Sequence, residues 1–135
     1  MDNAGTLWTL DHNSVLAGHL TLAHGTGTFC VHQTIVKGCK LIMQNGYDAD
    51  QLLANIEKYK ITSLMLGSAR LQNLMLDTTI VAKYDISSLI DVIVIGGKIP
   101  SAEATNEFMD RHPNCFVRQC YGISETGLVS IVHQK

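Results

Sequence analysis

Residues 115–132 read CFVRQCYGISETGLVSIV. The two ends of this stretch, 115–117 and 128–132, are rich in apolar and β-branched residues and favour short strands. Between them, 118–127 is interpreted as a turn that carries an aromatic ring, a flexible glycine, hydroxyls and one carboxylate. Open α/β sheets bind ligands beyond the ends of their strands, and a carboxylate beside a hydroxyl suits Mg²⁺ and phosphate oxygens. The alternative interpretation is an ordinary polar surface turn.

Apolar runs and helical patterns alternate in the chain before this stretch. Short apolar runs bounded by turn residues predict strands, and apolar residues spaced three and four apart predict helices. The predicted strands are 15–22, 39–43, 62–66 and 90–95; the predicted helices cover 24–37, 48–59 and 102–111, and a further one begins at Ser68 with Leu71, Leu74, Met75 and Ile80 on its apolar face. Asp48, Ser68 and Ser101 are predicted N-caps, and Gly38 is a predicted helix stop.

The alternation of strands and helices predicts the fold class. Strands that are joined through helices pair in parallel, and continuous apolar strands are typical of a sheet that is covered on both faces. We therefore expect an α/β layered sandwich, with a mostly parallel β-sheet flanked by helices. Residues 1–14 are expected to form an irregular N-terminal segment from which Trp8 docks on the body, and residues 15–135 are expected to form the domain.

Composition limits the classes of partner. The chain has 135 residues, a formal net charge of −2 and scattered basic residues, so it lacks the basic patch of a nucleic-acid-binding protein. It has no apolar stretch of the roughly 18 residues that a membrane-spanning helix needs, and its first residues do not form a secretory signal. We therefore expect no nucleic-acid partner, no membrane span and an intracellular protein.

The four cysteines point to reduced thiols. Cys30, Cys39, Cys115 and Cys120 show no CxxC pairing and no zinc-finger spacing with histidine. Cys115 and Cys120 are five apart, so on one strand they would face opposite sides, which argues against a shared metal or a disulfide. Buried, unpaired thiols are typical of intracellular proteins.

The motif YGISETG at 121–127 resembles the Tyr-Gly-x-Thr/Ser-Glu-Thr signature of the adenylate-forming (AMP-binding) enzymes, which include acyl-CoA synthetases, 4-coumarate–CoA ligases and insect luciferases. The resemblance continues backwards through 92–127, where Gly96-Gly97 matches the family's glycine pair one strand earlier. It extends to KYKITSLML at 58–66 and AHGTGTF at 23–29, and so covers nearly everything after about residue 16.

This resemblance implies an ATP, Mg²⁺ and CoA-dependent activity on a carboxylic acid, and it assigns roles to seven residues. Gly96, Gly97, Tyr121, Gly122 and Ser124 would bind the nucleotide, Glu125 would bind the metal ion, and His24 would line the substrate pocket. In particular, Tyr121 would lie against the adenine and Ser124 would contact phosphate. Taken without the resemblance, His24 is equally compatible with a structural histidine.

The sequence also lacks parts of the family's machinery. It contains no Ser/Thr-Gly-rich loop with a lysine, no Thr-Gly-Asp motif after Glu125 and no C-terminal domain with a catalytic lysine. We therefore expect a portion of an ATP-dependent acyl- or aryl-CoA ligase, cytoplasmic or peroxisomal, that is inactive by itself. The alternatives are a shortened, non-catalytic relative that binds adenosine nucleotides or a partner, and an unrelated Rossmann-like module, which the absence of GxGxxG disfavours.

Overall fold

The structure of the chain, a computed structural model, describes residues 8–98, 100–123, 125 and 127–133. The elements follow in this order: β1 (Val15–Gly18), α1 (Gly25–Lys37), β2 (Lys40–Met43), α2 (Ala49–Tyr59), β3 (Ser63–Gly67), α3 (Ser68–Leu76), α4 (Thr78–Val81), β4 (Asp91–Ile95), α5 (Ala102–Arg111), β5 (Phe116–Ile123) and β6 (Gly127–His133). Within this described part, no helix is both long and apolar enough to cross a membrane.

A single mixed sheet forms the middle layer. Its strand order is β2-β1-β3-β4-β5-β6, in which neighbouring strands pair in parallel except for the antiparallel pair β5–β6. The pairs β3–β4 and β4–β5 stay in register over five residues each. The carboxyl ends of these parallel strands therefore lie at the same edge. The predicted α/β fold with a mostly parallel sheet is confirmed.

Both faces of the sheet are buried at its central strands, β3 and β4. One face packs against α2, α3 and α5 through side chains such as Leu66 and Val94, and the other packs against α1 through Met65 and Ile93. Successive residues of a strand point to opposite faces, so a strand covered on both sides is apolar at every position. This explains the continuous apolar runs of the sequence.

Three predicted helix boundaries are confirmed. The Asp48 carboxylate accepts a hydrogen bond from the Gln51 amide at 2.7 Å, and Ser101 Oγ accepts one from the Ala104 amide at 3.2 Å. These bonds satisfy amides that have no partner inside a first helical turn. Gly38 ends α1 in the left-handed conformation, with φ of 67°.

The prediction for Ser68 is wrong. The N-cap of α3 is Gly67, and Ser68 Oγ instead donates a hydrogen bond to the carbonyl of Lys98. The apolar face does not continue to Ile80 within one helix, because the Asp77 carboxylate caps a separate helix, α4, by accepting from the Ile80 amide at 3.1 Å. Both differences arise from hydrogen bonds that helical periodicity does not encode.

Two strand boundaries also differ from prediction. Most of the predicted turn 118–127 is strand, because β5 finds partners on both sides: β4 pairs with 116–120 and β6 pairs with 118–123. At the other end of the sheet, β1 stops at Gly18 instead of continuing to residue 22. Its partner β2 ends opposite, at Met43, and its pairing with β3 is limited to Leu16 and Ser63, so the paired ladder of β1 does not continue beyond Gly18.

The amino-terminal segment docks as predicted. Trp8 is 2% exposed and stacks on Phe29 of α1, with ring centroids 6.3 Å apart. Residues 8–14 form neither helix nor strand, and residues 1–7 lie outside the described part, so the predicted irregular segment 1–14 stays a prediction. The predicted domain boundary at residue 15 stays a prediction.

Candidate functional site

A cavity of about 1210 Å³ opens at the carboxyl edge of the sheet. Its lining includes His19 directly after β1, Gly67 at the end of β3, Gly96 directly after β4, and Gly122 near the end of β5. The crevice beyond the carboxyl ends of the strands is the position at which open α/β sheets bind ligands. The cavity is therefore the candidate site.

The cavity brings together three of the seven predicted site residues, His24, Gly96 and Gly122. Two others, Gly97 and Tyr121, are adjacent in sequence to lining residues but do not themselves line the cavity. Glu125 also lies outside the lining, in the turn that follows the lining residue Ile123. Ser124 lies outside the described residues, so its predicted phosphate contact stays a prediction.

The glycine pair Gly96-Gly97, here called the glycine cradle, leaves open space beside the backbone directly after β4. Gly96 and Gly97 have φ values of 61° and 69°, in the left-handed region that favours glycine. A Cβ atom built on Gly96 would meet nothing within 4 Å, and one on Gly97 would meet only Ser68 Cβ, at 3.7 Å. The space beside this backbone is therefore open for a flat ligand, and the hydrogen bond from Ser68 to Lys98 fixes the turn to α3.

Tyr121 and Glu125 present groups that suit a magnesium nucleotide. Tyr121 is 64% exposed, so a face of its ring is available for stacking. Glu125 is exposed, and no group of three or more potential metal ligands exists in the described part of the chain. Mg²⁺ is commonly held by one or two carboxylates together with substrate phosphates. The residues present therefore fit Mg²⁺ that arrives with a nucleotide, and not a metal centre built from protein alone.

His24 is oriented by the first turn of α1. It is the N-cap residue, and its Nδ1 accepts a hydrogen bond from the Thr26 amide at 3.3 Å and lies 2.8 Å from Thr26 Oγ1. A backbone amide only donates, so Nδ1 is the unprotonated nitrogen and the ring proton is on Nε2. His24 thus lines the cavity with an N–H donor that has no hydrogen-bond partner among the residues described by the structure.

Comparison with known proteins identifies the family. The family model described as AMP-binding enzyme matches residues 1–135. The chain belongs to the AMP-binding enzyme family. It is 35% identical over 106 residues to acyl-CoA synthetase 7 of Caenorhabditis elegans. The matched region covers 78% of this chain and 19% of that protein. It is 29% identical over 110 residues to luciferin 4-monooxygenase of Nipponoluciola cruciata, covering 81% of this chain and 20% of that protein.

Solved structures agree with this AMP-binding assignment. The luciferase-like enzyme of the nonluminescent mealworm Zophobas morio superposes with a TM-score of 0.78 and 28% identity, over 92% of this chain and 28% of that chain. The chain spans about a fifth of the length of the curated relatives that it matches. The resemblance inferred from YGISETG is confirmed.

Three lining residues of this AMP-binding segment were missed by sequence reasoning. His19, Tyr47 and Arg70 follow the ends of β1, β2 and β3, each within four residues. The imidazole of His19 lies edge-on to the ring of Tyr47, with centroids 5.8 Å apart, and the Arg70 guanidinium carbon lies 4.4 Å from the Tyr47 ring centroid. Their position after strand ends was a usable signal, because parallel strands place such residues at one edge.

The thiols of this AMP-binding segment are free, as predicted. Burial raises the pKa of Cys30 and that of Cys115 to about 12, so both stay protonated at neutral pH. Cys115 and Cys120 lie in different hydrophobic clusters, on opposite faces of the sheet. The described residues therefore contain no paired or activated cysteine at this site.

Replacement of Gly27 by alanine should destabilise the fold. Gly27 is buried in the first turn of α1, and an added Cβ would lie 2.1 Å from the carbonyl oxygen of Thr21. Overpacking of this kind costs roughly 1–3 kcal/mol or more, and here the backbone itself must move. Urea unfolding measures the loss, and Gly67→Ala is the matched control, because its Cβ would meet nothing within 4 Å. Equal stabilities of the two variants would contradict this packing.

Proposed function

We propose that this chain is part of an ATP-dependent acyl- or aryl-CoA ligase, which activates a carboxylic acid as an acyl-adenylate and transfers the acyl group to CoA. The observation that carries this proposal is one cavity lined on one side by the Gly96 cradle and on the other by His24. A nucleotide and an acid can meet there, at the carboxyl edge of the sheet.

The nucleotide is proposed to occupy the side formed by β4 and β5. Backbone without a Cβ at Gly96 and Gly97 allows the adenosine to approach closely. Tyr121 would stack on the adenine, Gly122 would leave room beside it, and the Ser124 hydroxyl would donate to a phosphate oxygen. Glu125 would hold Mg²⁺, which neutralises charge on the phosphates when bound.

The acid is proposed to occupy the side formed by α1 and the loop after β1. In the first step, a carboxylate oxygen of the acid attacks the α-phosphorus of ATP and pyrophosphate leaves. In the second step, the thiol of CoA displaces AMP, and the acyl group becomes a thioester. The Nε2–H of His24 is a donor for the acid's oxygens, and the apolar lining residues exclude water from the reacting atoms.

The test is ATP–pyrophosphate exchange by the complete gene product that contains these 135 residues. Exchange that requires a carboxylic acid is expected, followed by thioester formation when CoA is added. Binding of ATP without exchange for any acid in a broad panel would favour a non-catalytic nucleotide-binding relative instead. Absence of both exchange and nucleotide binding would overturn the proposal. The cellular compartment, cytoplasmic or peroxisomal, stays a prediction.

A further inference from the structure

The cavity has a second polar end, away from the glycine cradle. The strand order places β4 and β5, which carry Gly96 and Gly122, on one side of β3 and places β1 and β2 on the other. His19, Tyr47 and Arg70, here called the arginine corner, line the cavity from the ends of β1, β2 and β3. Neighbouring strands lie about 4.8 Å apart, so β3 and β5 are separated by roughly 10 Å.

Arg70 supplies this corner with a positive charge that no described residue neutralises. Its guanidinium lies over the Tyr47 ring, an arrangement that orients a cation through the ring's negative face. Arg70 is exposed, and it makes no ion pair or side-chain hydrogen bond with any residue that the structure describes. A guanidinium carries five N–H donors in a planar fork that matches a carboxylate. The corner is therefore suited to an anionic oxygen group.

The Tyr47 ring is held in place from the protein side. The β2–α2 loop that carries it is fixed by Gln44, whose side chain donates to the Asp48 carbonyl at 3.2 Å and accepts from Asn55 at 3.1 Å. Gly46 turns the chain with a φ of 76°. The platform on which Arg70 lies is therefore anchored by bonds outside the cavity.

His19 adds unsatisfied hydrogen-bonding groups to the same corner. It is 2% exposed, and neither ring nitrogen has a hydrogen-bond partner among the described residues. Burial and the nearby Arg70 charge lower the pKa of His19 to about 4, so at neutral pH the ring offers one donor and one acceptor. A buried polar group without a partner costs about 1–3 kcal/mol. A ligand oxygen that enters the corner would supply that partner.

We propose that the arginine corner binds a second anionic group of the acid substrate, so that the ligase acts on dicarboxylic acids. One carboxylate would react at the nucleotide side, and the distal carboxylate would pair with Arg70, on the order of 10 Å away. This inference rests on the proposed function. It adds that the far end of the acid is charged. A wholly apolar pocket would instead select an acid with an uncharged alkyl or aryl chain.

The experiment compares octanedioate with octanoate, two acids of equal length that differ in the distal carboxylate, in ATP–pyrophosphate exchange by the complete gene product. The wild-type protein should prefer octanedioate. Arg70→Met, which keeps much of the side-chain length, should lower kcat/KM for octanedioate about 10- to 100-fold, mainly through KM, and leave octanoate unchanged or improved. Arg70→Lys should recover part of the loss, because it restores the charge but not the fork.

Two further variants distinguish a substrate-binding role of the arginine corner from a structural role. His19→Phe keeps a ring beside Tyr47 but removes both nitrogens, so it should lower the octanedioate-to-octanoate ratio without removing octanoate activity. Lys37→Gln removes a charge from the last turn of α1, outside the cavity lining, and should change exchange with neither acid. A wild-type preference for octanoate, or equal losses for the two acids in Arg70→Met, would overturn the inference.

Failure of the proposed ligase function can be distinguished from failure of the arginine corner to bind a carboxylate. If no acid supports exchange, calorimetric titration of the same protein with octanedioate and octanoate tests the corner directly. Binding of octanedioate that Arg70→Met abolishes would support the corner although the ligase proposal had failed. Binding of neither acid, or binding that is insensitive to Arg70→Met, would overturn the corner as well. A raised KM for CoA alone in Arg70→Met would instead assign Arg70 to the phosphates of CoA and would also overturn it.

Discussion

Under the proposed function, replacing Glu125 with alanine is expected to lower the rate of acyl-adenylate formation on the order of 1000-fold. The carboxylate lies exposed in the β5–β6 turn, and the described residues supply no cluster that could hold Mg²⁺ in its place. Metal-ion stabilisation of phosphate charge contributes several kcal/mol, and each 1.36 kcal/mol changes a rate tenfold. The measurement is ATP–pyrophosphate exchange by the complete gene product across a Mg²⁺ titration.

Two further variants make this result specific to the metal ion. Glu125→Gln keeps the side-chain shape and loses the charge, so it should be impaired about as strongly and should require more Mg²⁺. Asp110→Ala removes an exposed carboxylate from the last turn of α5 and should leave exchange and its Mg²⁺ dependence unchanged. Survival of normal exchange in Glu125→Ala would show that the metal assignment is wrong.

Replacing Arg118 with methionine is expected to destabilise the chain by about 3–5 kcal/mol. Arg118 Nε lies 3.1 Å from Asp91 Oδ1, and the two side chains are only 12% and 4% exposed. Removal of one member of such a pair leaves the other charge buried without a partner. Arg118 also donates to Thr9 Oγ1 at 2.7 Å, so the variant should loosen the segment that carries Trp8. Urea unfolding followed by Trp8 fluorescence measures both effects.

The loss in Arg118→Met should depend on pH. Burial raises the pKa of Asp91 to about 6 even with Arg118 beside it, and removal of the guanidinium raises this pKa further. A carboxyl whose pKa is higher in the folded state stabilises the fold while it is protonated, and this contribution is lost as the pH rises through the folded pKa. The difference from wild type should therefore be small near pH 4 and should grow above pH 6.

Double substitution tests the cause of this loss. Asp91→Leu combined with Arg118→Met replaces the pair by apolar side chains and should recover most of the stability. Lys60→Met, which breaks an exposed 2.9 Å pair with Asp85, should have a much smaller effect, because solvent screens that pair. A loss in Arg118→Met no larger than that in Lys60→Met would contradict the buried-pair argument.

Structural features that depend on residues close together in the sequence were predictable from it. Asp48, Ser101 and Gly38 act as helix boundaries through bonds and dihedral angles inside their own turns. By contrast, Ser68 bonds to the Lys98 carbonyl, thirty residues away, and β5 extends as far as Ile123 because strands lie on both sides of it. A local sequence pattern does not specify hydrogen-bond or strand partners that lie far away along the chain.

The same distinction holds for the candidate site. Gly96 and Gly122 were predicted from short motifs, and the cavity does contain them. The meeting of His19, Tyr47 and Arg70 depends on the order β2-β1-β3, in which the first strand of the chain lies between the second and the third. No run of residues records that order, so the positions of these residues after strand ends indicate a shared edge of the sheet but not that the three meet there.

The β5–β6 hairpin has a consequence for how the chain folds. Tyr121 pairs with Ser130 across nine residues, whereas Leu16 of β1 pairs with Ser63 of β3 across 47. The entropy lost on closing a loop grows as (3/2)RT times the logarithm of its length, so the shorter closure is easier by about 1.5 kcal/mol. Hairpins form in about 1–10 μs, faster than sheets that need crossover connections. The segment that carries Tyr121 and Glu125 is therefore the part of the sheet that assembles most readily from the unfolded chain.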